Sequence, residues 1–219
     1  MIAVIVPAHN EEHLLGRCLH ALGRAAKTLA AVGEEVQTVV VLDSCSDGSE
    51  AIARVHGVKV LKVQARNVGH ARHAGAALML ERGARWLAFT DADSCVPADW
   101  LLCQLAFAAD AVCGTVHVQS WQAHQGAALR ERYLAHYQAR EGHRHVHGAN
   151  LGICARAYEK VGGFKALALH EDVQLVNDLQ RSGAHIVWTA RNSVSTSSRR
   201  DCRVRGGFGD FLNNLGGQV

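Results

Sequence analysis

The sequence predicts an α/β protein built on a mainly parallel sheet. Two observations carry that reading. Short apolar runs alternate with helix-patterned segments through the first half of the 219 residues, which implies right-handed strand–helix–strand units. The runs are apolar throughout, as in Val39-Val40-Val41-Leu42, rather than alternating, which fits strands covered on both faces.

Each element follows in order. Residues 2–6 form a β-branched run closed by Pro7. Residues 11–29 carry Leu14, Leu15, Cys18, Leu19 and Leu22 on one helical face. Asn10 suits the cap of that helix, and Glu11 and Glu12 suit its positive end. Residues 36–42 read as the second strand, 47–55 as a helix after a polar turn and 58–63 as the third strand. A small-residue helix is expected over 69–81, a fourth strand over 86–90 and a helix over 98–109. Beyond these the pattern loosens. An extended, partly antiparallel segment is expected over 111–121, a helix over 125–140 and a histidine-rich loop over 141–148. A short strand over 150–155 precedes a helix to Val161 that Gly162-Gly163 stops. The last helix covers 171–182 with Gly183 after it, and a short strand covers 186–189. From Arg191 the chain is polar, glycine-rich and basic, and reads as a tail.

Composition narrows the function. Apolar residues make up 48% of the chain and charged residues 20%, and the net charge is +3 with 14 histidines counted neutral. That is not the basic footprint of a nucleic-acid binder. No apolar run reaches the roughly 18–20 residues that span a bilayer, and the start lacks the pattern of a signal peptide. The expectation is a cytoplasmic protein. The 7 cysteines are odd in number, with no C-x-x-C pair, so they read as reduced small hydrophobes rather than a disulfide or zinc framework.

In a parallel sheet the ligand lies beyond the carboxyl ends of the strands. Polar residues gather at those ends: residues 7–10, 43–48, 66–69 and 91–94. Asp91 and Asp93 are carboxylates one residue apart after an apolar strand, and both reach one small region if the chain turns there. Burying two such charges side by side is costly without a cation between them. Oxygen-only ligation favours Mg²⁺ or Mn²⁺, with phosphates and water completing the shell. An ordinary surface turn is the competing reading. Asp43, before Ser44-Cys45-Ser46-Asp47-Gly48-Ser49, is placed to accept from a ribose or a base N–H, or simply to build a capped turn. Glu171 and Asp172 open a helix, where acidic residues are favoured with or without a catalytic task.

The ordered set of motifs resembles glycosyltransferase family 2. The matching stretches are Val4-Ile5-Val6-Pro7-Ala8-His9-Asn10-Glu11-Glu12, Val41-Leu42-Asp43-Ser44-Cys45-Ser46-Asp47-Gly48-Ser49, Asn67-Val68-Gly69-His70-Ala71-Arg72-His73-Ala74-Gly75 and Phe89-Thr90-Asp91-Ala92-Asp93. Gly148-Ala149-Asn150-Leu151-Gly152-Ile153, Gly162-Gly163-Phe164 and Glu171-Asp172-Val173-Gln174-Leu175 follow, so the set covers most of positions 2–190. The resemblance implies the GT-A fold: a Rossmann-like sheet flanked by helices, with a smaller acceptor-side region in the C-terminal half. Residues 1–110 would bind the nucleotide sugar, 111–190 would bind the acceptor and carry the catalytic base, and 191–219 would form a flexible basic tail.

The same resemblance implies an inverting transfer from a UDP-, GDP- or dTDP-linked sugar to an acceptor hydroxyl, assisted by Mn²⁺ or Mg²⁺. Pro7, Ala8, Glu11, Asp43, Arg72 and Asp91 would bind the nucleotide, Asp93 with Asp91 the metal, and Asp172 would be the base. Asn150, Glu171, Trp100, His147 and Arg199 are the expected donor or acceptor contacts. His73 stands where the family often has Asn, and no histidine follows His185, so a late histidine ligand has no counterpart. His143, His145 and His147 would share one side of an extended segment, as a lid over the acceptor or as a metal site. Two other readings stay open. A nucleotidyltransferase would carry a glycine-rich basic loop after the first strand, where this chain has Pro-Ala-His-Asn-Glu-Glu. A non-catalytic metal-binding protein would depend on residues 143–147 instead of Asp93 and Asp172.

Overall fold

The computed structural model describes residues 1–118 and 127–197. Seven strands form one sheet in the order β3-β2-β1-β4-β6-β5-β7. β1 (Ile2–Ala8), β2 (Val36–Asp43), β3 (Lys59–Val63) and β4 (Trp86–Phe89) are mutually parallel. β6 (Leu151–Cys154) runs antiparallel between β4 and β5 (Ala111–Val118), and β7 (Ile186–Thr196) lies parallel to β5.

The alternate faces of the central strands bury against different helices, which is why these runs are apolar at every position. Ile2, Val4 and Val6 pack with Leu15, Cys18, Leu19 and Leu22 of α1 (Leu15–Ala30) and with Trp100 and Leu101 of α4 (Trp100–Ala106). Ala3, Ile5, Val39 and Val41 pack with Ala71, Ala76 and Met79 of α3 (Val68–Glu81) and with Leu175, Val176 and Leu179 of α7 (Glu171–Arg181). The shorter helices α2 (Ser49–Val55) and α6 (Ala155–Lys160) and the helix α5 (Ala127–His136) complete the fold.

Several boundaries differ from the sequence reading. α1 begins at Leu15, not Glu11, and Asn10 does not cap it. Asn10 takes a left-handed φ of 52° and its Oδ1 accepts the Ser46 N–H instead. Glu12 likewise turns to the next loop, accepting the Gly48 N–H while its own N–H donates to Asp47. α4 ends at Ala106, short of the expected 109, because Ala108 adopts a left-handed φ of 47° before β5. β7 continues to Thr196 rather than stopping at 189. Its register shifts between Gly114 and Thr115 of the partner strand, so residues 190–192 bulge and pairing resumes at Ser193. A bulged strand of polar residues carries no alternation to read. The other end of the sheet holds a surface cavity of about 550 Å³ lined by Arg85, Asp110, Arg156, Glu159 and His185, away from the strand ends discussed below.

Candidate functional site

The strand order reverses at β1, with β2 on one side and β4 on the other. The crevice outside the carboxyl ends of β1 and β4 is thus the switch point where open α/β sheets bind ligands. Four left-handed non-glycine residues border it: Asn10, Ser44, Arg66 and His170. Such conformations persist only where surrounding contacts enforce them.

One wall is built from two cross-linked loops. The Glu11 N–H donates to Ser49 Oγ at 2.9 Å, and Cys45 Sγ donates to the Ala8 carbonyl. Asp43 closes the end of β2. Its carboxylate accepts the N–H groups of Ala65, Arg66 and Asn67 at 2.7–2.8 Å, and the Ser44 hydroxyl. Burial pushes this carboxyl up, but those donors outweigh burial and hold it below the usual range. Asp43 therefore fixes the residue 65–67 loop, with Pro7, Ala8 and Glu11 beside it.

After β4 the chain turns, with the Ser94 N–H donating to the Asp91 carbonyl at 3.1 Å. The turn leaves Asp91 and Asp93 half-buried on the crevice and Ala92 and Ser94 buried. The buried Cys18 thiol beneath feels the charges of Asp93, Asp91 and Glu11, after burial itself, and is held well above its ordinary range.

Arg72 joins this turn to the opposite wall. Only 4% exposed, it pairs with Asp91 Oδ1 at 2.7 Å and with Glu171 at the start of α7. Burial pushes the guanidinium down, yet Asp91, then Glu171 and Asp172, outweigh that and raise it. Phe164 lies under it at 5.5 Å. α3 can bring Arg72 there because Gly69 lets the helix approach the Lys165 carbonyl and Glu171. Gly148 lies against the guanidinium with no room for a Cβ. The Gly148 N–H donates to Asp172 Oδ2, and the Val173 N–H to Oδ1, both at 2.8 Å. Asp91, Arg72, Gly148 and the adjacent Glu171 and Asp172 thus form one connected set from four separate stretches of sequence.

The model of "Glycosyl transferase family 2" matches residues 3–161. The chain belongs to this family. No curated protein sequence is significantly similar to it. Solved structures share its fold at low identity. Staphylococcus aureus TarS in complex with UDP-GlcNAc is 15% identical over 94% of this chain and 61% of that one, with a TM-score of 0.69. A mannosyltransferase of Pyrobaculum calidifontis in complex with GDP-Man and Mn²⁺ is 16% identical over 91% of this chain and 57% of that one, with a TM-score of 0.68. Glucosyl-3-phosphoglycerate synthase of Mycobacterium tuberculosis, in complex with Mn²⁺, UDP and glucosyl-3-phosphoglycerate, is 16% identical over 91% and 72%, with a TM-score of 0.61. The chain thus spans about three fifths of the first two. Its fold is the GT-A fold of family 2.

Within that family frame, several expected contacts are corrected. Trp100 is 0% exposed, and its indole N–H donates to Asn150 Oδ1 at 2.9 Å. Asn150, also 0% exposed, spends its amide N–H groups on the carbonyls of Thr115 and Asn192. Both side chains knit the sheet, and neither presents surface to the crevice. A tryptophan just past an acidic turn reads as a donor or acceptor contact, but α4 rotates it into the core. Glu171 is also buried, and meets Arg72 rather than the crevice. His73, where the family often has Asn, is exposed.

The histidine segment is neither a free lid nor a metal cluster. His143, His145 and His147 stack at 5.4 and 6.0 Å, and Tyr137 stacks on His145 at 4.4 Å. His143 Nδ1 accepts the His145 N–H, and Glu141 accepts from Thr189, Ala190 and Arg191, tying the segment to β7. Among the described residues no three His, Cys, Asp or Glu side chains could hold a metal together. Nor is any helix among them long and apolar enough to cross a membrane. Among the described residues six cysteines are free thiols. Arg199, Trp121 and Cys202 lie outside the described residues. Sequence reasoning missed Tyr137, whose partners Val116 and His147 no local motif marks, and gave no role to Gly148 although it opens a matching stretch.

Proposed function

We propose that the chain is an inverting glycosyltransferase that moves a sugar from a nucleotide-diphosphate donor to an acceptor hydroxyl, with a divalent metal at the diphosphate. The observation that carries this reading is Arg72, which ties Asp91 of the acidic turn to the N-terminus of the helix bearing Asp172. On this reading donor phosphates at Asp91 and a base at Asp172 face one crevice. The complexes of the neighbouring structures with UDP-GlcNAc, with GDP-Man and Mn²⁺ and with UDP and Mn²⁺ support it.

Pro7, Ala8 and Glu11 line the nucleoside end, and Asp43 shapes it through the residue 65–67 loop. Asp91 and Asp93 suit Mg²⁺ or Mn²⁺. They are oxygen donors, partly exposed, and two carboxylates leave the remaining positions to phosphate and water. Arg72 neutralises one oxygen of Asp91, so Asp93 is the firmer ligand. Bound there, the metal supplies positive charge where the leaving diphosphate becomes negative.

Asp172 is the base. Two N–H groups hold its carboxylate at the positive end of α7, where ionised oxygens are favoured. It takes the acceptor proton as the hydroxyl oxygen attacks the anomeric carbon from the face opposite the diphosphate. The decisive experiment is thermal stability with UDP, GDP and dTDP, each with and without Mn²⁺. Saturation at 100 times Kd adds about 2.7 kcal/mol. If no nucleoside diphosphate with metal stabilises the protein, the reading is wrong. Asp172→Asn is expected to keep donor binding and lose about 10²–10⁴-fold in transfer.

A further inference from the structure

Resting on the donor-binding reading above, we propose that Tyr137 and His147 act as a coupled pair in which Tyr137 fixes the tautomer of His147, so that a neutral imidazole offers its Nδ1–H to an oxygen of the sugar diphosphate held at Asp91.

The geometry begins at β5. The Val116 N–H donates to the Tyr137 hydroxyl oxygen at 2.9 Å, and that oxygen lies 3.0 Å from His147 Nε2. A backbone N–H can only donate, so it occupies a lone pair of the phenol oxygen. The phenol proton then goes to Nε2. The reverse assignment would leave that half-buried proton with no acceptor among the described residues. With Nε2 accepting, the ring proton sits on Nδ1. The ring has little freedom to turn, because His145 stacks on it and Tyr137 stacks on Tyr133 in turn.

Its position relative to the crevice is set by the next residue. Gly148 packs on the Arg72 guanidinium and donates to Asp172, so His147 is anchored at the junction of the donor and base walls. The Arg72 guanidinium beside Gly148 is itself paired with Asp91 at 2.7 Å. Burial pushes the His147 ring down to about 4, in keeping with a neutral donor. A neutral donor suits this place, since Arg72 already supplies the cation and a second one would compete with the metal.

Asparagine and glutamine test the atom directly. The Asn amide N–H falls near the place of imidazole Nδ1, and the Gln amide near that of Nε2. With UDP-GlcNAc or GDP-mannose plus Mn²⁺ as probes, nucleoside diphosphate release in wild type is compared with the variants. His147→Gln is expected to lose about 100-fold in kcat/KM, the scale of one lost donor to developing negative charge. His147→Asn is expected to retain most of the activity. Tyr137→Phe keeps the stack and is expected to lose about 10-fold, as for lost orienting partners.

The ring nitrogens of His147 in a ¹H–¹⁵N long-range spectrum give a second readout. Wild type should show a protonated Nδ1 and a bare Nε2 at pH 7, and Tyr137→Phe should mix the tautomers. A protonated Nε2 in wild type overturns the pair whatever the activity. Equal rates for the Asn and Gln variants overturn the donor role. If wild type binds neither probe, the functional reading fails and the diphosphate partner with it, while the spectrum still decides the tautomer.

Discussion

A guanidinium with 4% exposure facing two carboxylates has a definite thermodynamic signature. Removing it strands Glu171, itself buried, as an uncompensated charge. Arg72→Met is expected to lower stability by about 3–5 kcal/mol in a urea titration. Arg72→Lys should recover part of that stability but not nucleotide binding. A compact ammonium cannot hold Asp91 and Glu171 with the two arms of a planar fork. Asp43 acts differently, because its carboxylate holds a loop rather than a charge partner. Asp43→Ala should therefore raise KM for the donor far more than it lowers kcat, in steady-state kinetics.

At the scale of elements, two glycines separate fold from function. Gly75 of α3 faces the sheet, where a Cβ would come within 2.7 Å of Ile5 Cγ2 and 2.8 Å of Val41 Cγ2. Gly75→Ala is an overpacking change worth about 1–3 kcal/mol, with kcat retained in the folded fraction. At Gly148 a Cβ would meet the guanidinium of Arg72. Gly148→Ala should displace the guanidinium from Asp91 and reduce turnover more than stability. Comparing melting curves with turnover for the two variants checks both. The elements themselves were largely legible. Apolar runs located the strands because parallel strands are buried on both faces. The start of α1 was misread because Asn10, Glu11 and Glu12 look like a helix cap, whereas those groups bond to residues 46–49. Nothing in local sequence states that preference.

For the whole molecule, acid stability follows from the sign of the shifts. His147 is held at about 4, below the ordinary value near 6.5 of an unfolded chain. Between those pH values the unfolded state binds a proton that the native state does not, so stability rises with pH through that window. On acidification from pH 7 it should fall between about 6.5 and 4, with His143, also lowered, adding to it. Below that window the lowered Asp43 takes over. Its contribution is present above the ordinary carboxylate value near 3.9 and is lost as pH falls through its lower native value. Urea midpoints at pH 7 and pH 5 should differ clearly in wild type and differ less in His147→Gln.

Sequence alone determined the sheet class, the strand ends on which polar residues gather, the family and the acidic pair at 91 and 93. These are short-range properties: periodicity, apolar runs and motif order lie along the chain. Tertiary structure decided what the residues touch. It turned Trp100 and Asn150 into the core, extended β7 through a bulge, stacked the three histidines into a column and brought Arg72 to Asp91 and Glu171. The physical reason is the same in each case. A side chain's role depends on which way its element rotates and on partners up to 102 positions away, and only packing fixes both.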